Sequence, residues 1–98
     1  ADGDFDDGSG NTIDDVADTE VTAGSEEYGI AVSGSGLTVD ATYNTGDNAI
    51  AQTADDLASS AAAVDGVTLD ITYKASIAGT TVAGSYDQVV TVTIATNA

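Results

Sequence analysis

Asp2, Asp4, Asp6, Asp7, Asp14 and Asp15 all fall within the first fifteen residues of the chain. Oxygen ligands at every second residue let a turning loop wrap a hard cation, which is how an EF-hand loop binds Ca²⁺. The run DGDFDDGSGNTIDD follows that logic in part. Its sixth position holds Asp7 where the motif has Gly, and its twelfth holds Ile13, with Asp14 and Asp15 just beyond. Carboxylates this close repel one another unless a cation or solvent intervenes. The chemistry to expect is a Ca²⁺ site that orders the segment or joins neighbouring chains. The plainer expectation is a solvated acidic arm.

Three other groupings carry less chemistry. Asn44-Thr45-Gly46-Asp47-Asn48 offers oxygen ligands but reads first as a turn whose side chains bond their own backbone. Lys74 is the one basic residue. Its place in the alternation puts it on the solvent side of a strand, where an ion pair with Asp70 or Asp87 is the expectation and an isopeptide crosslink is not. Asp55-Asp56 and Glu26-Glu27 are adjacent pairs, and adjacency does not set two carboxylates across a cleft. Five aromatic residues without Trp also make a poor sugar platform.

Composition removes whole classes of function. The chain has 98 residues, 17 acids, one base and a net charge of −16, with neither His nor Cys. Zinc sites, haem or iron–sulfur ligation, disulfides and Ser/His/Asp or Cys/His catalysis are all excluded on residue type. One base cannot neutralise a phosphate backbone, so nucleic acid is not an expected partner. Anionic membrane surfaces repel such a chain, and no apolar run approaches the roughly 20 residues of a membrane helix. The expectation is a protein that is not an enzyme.

The elements that must position these residues are strands. Ala, Thr, Gly, Val and Ser dominate, a mixture of small and β-branched residues that favours strands and tight turns. The composition shifts near Tyr28: ten of the seventeen acids lie in residues 1–27. We therefore expect an acidic N-terminal arm or donor segment over residues 1–24 and a β-sandwich domain over residues 25–98.

Within that domain the period is two. Tyr28, Ile30 and Val32 share a face, Gly34-Ser35-Gly36 has hairpin chemistry, and Leu37, Val39, Ala41 and Tyr43 then alternate. Residues 54–60 suit a turn or short helix. After Asp65-Gly66 comes the longest alternation, with Val67, Leu69, Ile71, Tyr73, Ala75 and Ile77 facing inward. A last strand runs from Tyr86 through Val90, Val92 and Ile94. The fold class predicted is all-β, a small antiparallel β-sandwich of immunoglobulin-like or jelly-roll-like form, completed by a strand from a neighbouring copy.

The segments SEEYGIAVSGSGLTVD (25–40), VTLDITYKASIAGTTVAGSYDQVVTVTI (67–94) and, within the latter, AGSYDQVVTVTI (83–94) resemble secreted bacterial surface β-sandwich proteins, similar to spore-coat U-type and pilin-like subunits. The likeness spans about residues 25–96. It implies a secreted subunit of a coat, fibre or pilus, located at the cell surface. This chain differs from chaperone–usher pilins in having no Cys and an acidic N-terminus.

A core of Val, Ile and Ala buries little area. At about 25 cal/mol per Å² a lone domain of this size comes out near zero net stability, so a cation, salt or a second chain must add to it. The first function to expect is an extracellular structural subunit that self-assembles into a filament, pilus-like fibre or surface layer by strand addition between copies. Ile13, Val16 and Val21 are the candidate donor residues, and a bulge is needed to fit their spacing. The alternative is a calcium-stabilised adhesin or binding module of a larger surface protein. The start at Ala1 fits a mature secreted product or a fragment whose partner lies elsewhere in its precursor.

Overall fold

The computed structural model of the chain describes residues 4–51 and 53–95. It is all-β, with antiparallel sheets and no helix among the described residues. Six strands run in chain order: β1 (Phe5–Asp6), β2 (Thr12–Ile13), β3 (Glu27–Ser35), β4 (Thr38–Val39), β5 (Ala58–Ser59) and β6 (Thr68–Ser76). They pair as β1–β2, β3–β6 and β4–β5, three two-stranded sheets that do not close on one another as a sandwich or barrel.

The β3–β6 ladder is the frame. Its register runs without a bulge from Glu27 opposite Ser76 to Ser35 opposite Thr68. Strict alternation in both segments makes this possible, because every second residue then meets the same face. Tyr28, Ile30 and Val32 are buried on one face of β3. Ile30, Val32 and Tyr43 form the core, with Val39, Ile50, Leu57, Leu69 and Ile71 packed around them.

Four expectations from the alternation are corrected by the structure. Residues 37–43 do not continue as one strand after the glycine turn. β4 stops at Val39, since the Asp40 carboxylate accepts the Thr42 N–H at 2.9 Å and the Asp40 carbonyl accepts the N–H groups of Tyr43 and Asn44. That local turn competes with the ladder and wins. Residues 54–60 hold the short strand β5 and no helix. Tyr73, Ala75 and Ile77, expected inward, are exposed: the first two lie in the second half of β6 and Ile77 just beyond its end. The final strand is reduced to one antiparallel bridge, Asp6 to Asp87, and residues 88–95 follow it outside any sheet.

The boundary expected near residue 25 divides segments that are in contact. Tyr28 donates its N–H to the Asp14 carbonyl and accepts from the Val16 N–H, both at 2.8 Å. The Phe5 ring lies 3.8 Å from that of Tyr28, tilted by 30°. Ile13 and Val16 are 5% and 7% exposed, so the acidic stretch carries its own share of the core.

Candidate functional site

Two sites emerge, one acidic and one built from backbone. The acidic site depends on the β1–β2 hairpin, which the Asp7 carboxylate shapes. Asp7 accepts the backbone N–H groups of Ser9 and Asn11 and the Asn11 side-chain amide. The amide bond from Asn11, followed by the Ser9 N–H, holds the Asp7 carboxyl below its ordinary value. Asp6 similarly accepts the Gly8 N–H. Both aspartates are therefore engaged in turn geometry. The hairpin and the residues after it bring Asp4, Asp14 and Asp15 together, with one carboxylate oxygen from each within 4.8 Å of the others. Of the six aspartates expected to bind Ca²⁺, these three converge, Asp6 and Asp7 bond their own turn, and Asp2 lies outside the described residues.

The electrostatics of the trio favour a positive guest. Burial raises the Asp15 carboxyl above its ordinary value, and the Asp14 side chain and the Asp4 charge push it further the same way. Hard oxygen donors at this separation suit Ca²⁺, whose ligand distances are about 2.3–2.6 Å. Three carboxylates supply fewer than the six to eight oxygens Ca²⁺ takes, so carbonyls or water would complete the shell.

Lys74 does not pair with Asp70 or Asp87. Its Nζ lies 2.9 Å from Oδ1 of Asp47, which is buried at 4% exposure. The cross-strand partner of Lys74 is Gly29, a position without a side chain. A side chain at position 29 would meet Val16 Cγ1 at 2.6 Å and the Asn48 carbonyl oxygen at 3.0 Å. Asp47 also accepts the Val21 N–H at 2.8 Å and donates its own N–H to the Thr19 carbonyl. Burial pushes the Asp47 carboxyl up, but the Lys74 ammonium and the Val21 N–H together outweigh it and hold the net value low. Lys74 thus clamps β6, the 44–48 loop and the N-terminal stretch together. The close approach at Gly29 was the missed signal: a glycine inside an alternating strand marks crowding against its face.

The backbone site lies on the outer edge of β6. The far edge of β3 is filled: Tyr28 bonds residues 14 and 16, Ile30 exchanges both bonds with Asn48, and Val32 donates to Tyr43. These even-numbered residues aim away from β6, so antiparallel geometry makes their cross-strand partners aim outward too. Those partners are Ala75, Tyr73 and Ile71, and the same parity places Leu69, opposite Gly34, with them. Among the described residues no backbone group bonds their N–H or C=O groups.

Residues 88–95 pass near this edge without joining it. Val90 and Val92 share a small cavity of about 70 Å³ with residues that include Ile30, Ile71 and Tyr73. A wider groove of about 760 Å³ separates Gln88–Thr91 from Asp4, Thr12 and Ile50. Val89 and Ile94 are 93% and 91% exposed. The candidate donors Ile13 and Val16 are packed within their own chain, and Val21 is tied to Asp47. Comparisons with family models, curated proteins and solved structures return no match for this chain.

Proposed function

We propose that the protein is an extracellular structural subunit, not a catalyst, that assembles with copies of itself into a filament, fibre or surface layer by strand addition. The open edge of β6 carries this reading. Four alternate residues there present a row of backbone donors and acceptors, and such rows recruit strands unless charge or a covering element blunts them. The sandwich expected of the sequence is completed on assembly, when a partner strand widens the β3–β6 sheet. A strand given by each copy to the next does not close on itself, which produces a fibre. The charge of −16 keeps single copies apart at low ionic strength, and salt lowers that barrier. Negative-stain electron microscopy with light scattering, across salt and Ca²⁺ concentrations, tests the reading. Fibres or sheets support it; a monodisperse monomer under every condition refutes it.

A second reading rests on the meeting of Asp4, Asp14 and Asp15. In it the chain is a calcium-stabilised adhesin or binding module, with the cation relieving carboxylate repulsion and locking the hairpin onto β3. Thermal melts with Ca²⁺ and with chelator decide this. A Tm that rises with Ca²⁺ concentration supports cation binding to the native state; superimposable curves remove it.

A further inference from the structure

We infer that the strand received by β6 is residues 88–95 of a second copy, an assignment that rests on the strand-addition reading and names its donor and its acceptor. QVVTVTIA carries no charge, in a chain whose net charge is −16. β6 carries one Asp and one Lys, which cancel. Two copies of this protein repel wherever their acidic surfaces meet, and these two strands are where they approach at least Coulomb cost.

Shape agrees with charge. The segment spans eight residues against nine in β6. Its alternation sets Val90, Val92 and Ile94 on one side and Thr91 and Thr93 on the other, the same division that β6 makes between Leu69 and Ile71 and its threonines. An uncharged, Val/Thr-rich stretch without Pro has the composition that pairs with exposed edges.

The segment is poorly housed in its own chain. Ile94 and Val89 are almost fully exposed, and Gln88 Oε1 is buried with no hydrogen-bond partner. Such an unsatisfied group marks a place where packing is incomplete. The reciprocal bonds between Asp6 and Asp87, at 3.0 and 2.9 Å, tether the segment's start to the N-terminal hairpin. That hairpin leads into the 14–16 stretch, which bonds Tyr28 at the far edge of β3. Val90 and Val92 line a cavity with Ile71 and Tyr73 yet form no backbone bond to β6, which leaves its edge open to the same segment of a neighbour. The segments that hold Ile13, Val16 and Val21 are already bonded within the fold, which leaves 88–95 as the donor.

The absence of Cys makes the test clean. Chains carrying Thr72→Cys are mixed with chains carrying Thr91→Cys or Thr93→Cys under oxidising, assembly-promoting conditions. A mixed disulfide dimer, formed in preference to either self-dimer, is expected. A double variant carrying Thr72→Cys and Thr93→Cys that instead closes within single chains overturns the assignment, because the segment then pairs in cis. In parallel, Val92→Pro removes an N–H and disrupts pairing at an exposed position, and polymer is expected to fall roughly tenfold or more. Circular dichroism of the dilute chain checks that the variant folds; if it does not, the cysteine pairs decide. Wild-type levels of polymer from a folded Val92→Pro chain overturn the donor while leaving strand addition standing. Failure of the unmodified chain to assemble strikes the broader reading itself.

Discussion

Lys74 shows how much one residue holds when it has no substitute. Its ammonium sits on a buried Asp47 that also takes the Val21 N–H, so removing it strands a carboxylate in the fold. Lys74 is itself half exposed, which screens the pair, and the expected loss for Lys74→Gln is about 1–2 kcal/mol, below that of a fully buried ion pair. Urea unfolding measures it, and adding Asp47→Asn should restore part of the loss because no charge is left behind. The pH response has two signs. Asp47 is held below the ordinary carboxylate range, so its contribution is present above that range and is lost as pH falls through the folded value. Asp15 is raised, so the native state is penalised at neutral pH and recovers as pH falls through the raised value. Asp15→Asn should therefore raise Tm at neutral pH in chelator, with the gain shrinking on acidification. Tyr43 acts at the other end of the scale. Burial, then its bond to Asp55 at 2.8 Å, pushes the phenol to about 12, and stability should fall as pH rises from about 10 through that value.

At the scale of elements, the N-terminal stretch belongs to the sheet it crosses. Val16→Ala should cost about 2 kcal/mol through lost burial and the cavity left behind, where a detached arm would register nothing. Gly29→Ala should cost a further 1–3 kcal/mol, roughly the penalty of overpacking, because the new Cβ meets Val16 and the Asn48 carbonyl. Denaturant midpoints of both variants check this. The long alternations from Tyr28 and from Val67 made β3 and β6 legible in advance, since period two has only one good solution where a face is buried. Their pairing with each other was not, because Gly34-Ser35-Gly36 argued for a local hairpin. The N-terminal docking was hidden by the spacing of Phe5, Ile13 and Val16, which follows no single period: Phe5 and Ile13 pair in a hairpin, while Val16 follows an isolated bridge between Asp15 and Tyr28. The aspartate cluster was legible as a group. Which three would converge depended on the hairpin turn, and Asp7 is spent on making that turn.

The whole molecule is elongated, 48 × 23 × 20 Å, with a small core. Its charge is concentrated toward the N-terminal residues, and its uncharged segment 88–95 lies at the other end of the sequence. In the assembly we propose, that separation leaves the β6 edge as the place where copies approach at least Coulomb cost. Salt should accordingly speed assembly, an effect that light scattering at increasing ionic strength will follow. Amide hydrogen exchange at Leu69, Ile71, Tyr73 and Ala75, before and after assembly, tests the central claim most directly. These four N–H groups should exchange rapidly in the dispersed chain and become protected in the polymer, while their β6 neighbours, already bonded to β3, change little. Protection of the four in dispersed monomers, or continued rapid exchange within the polymer, would contradict the account.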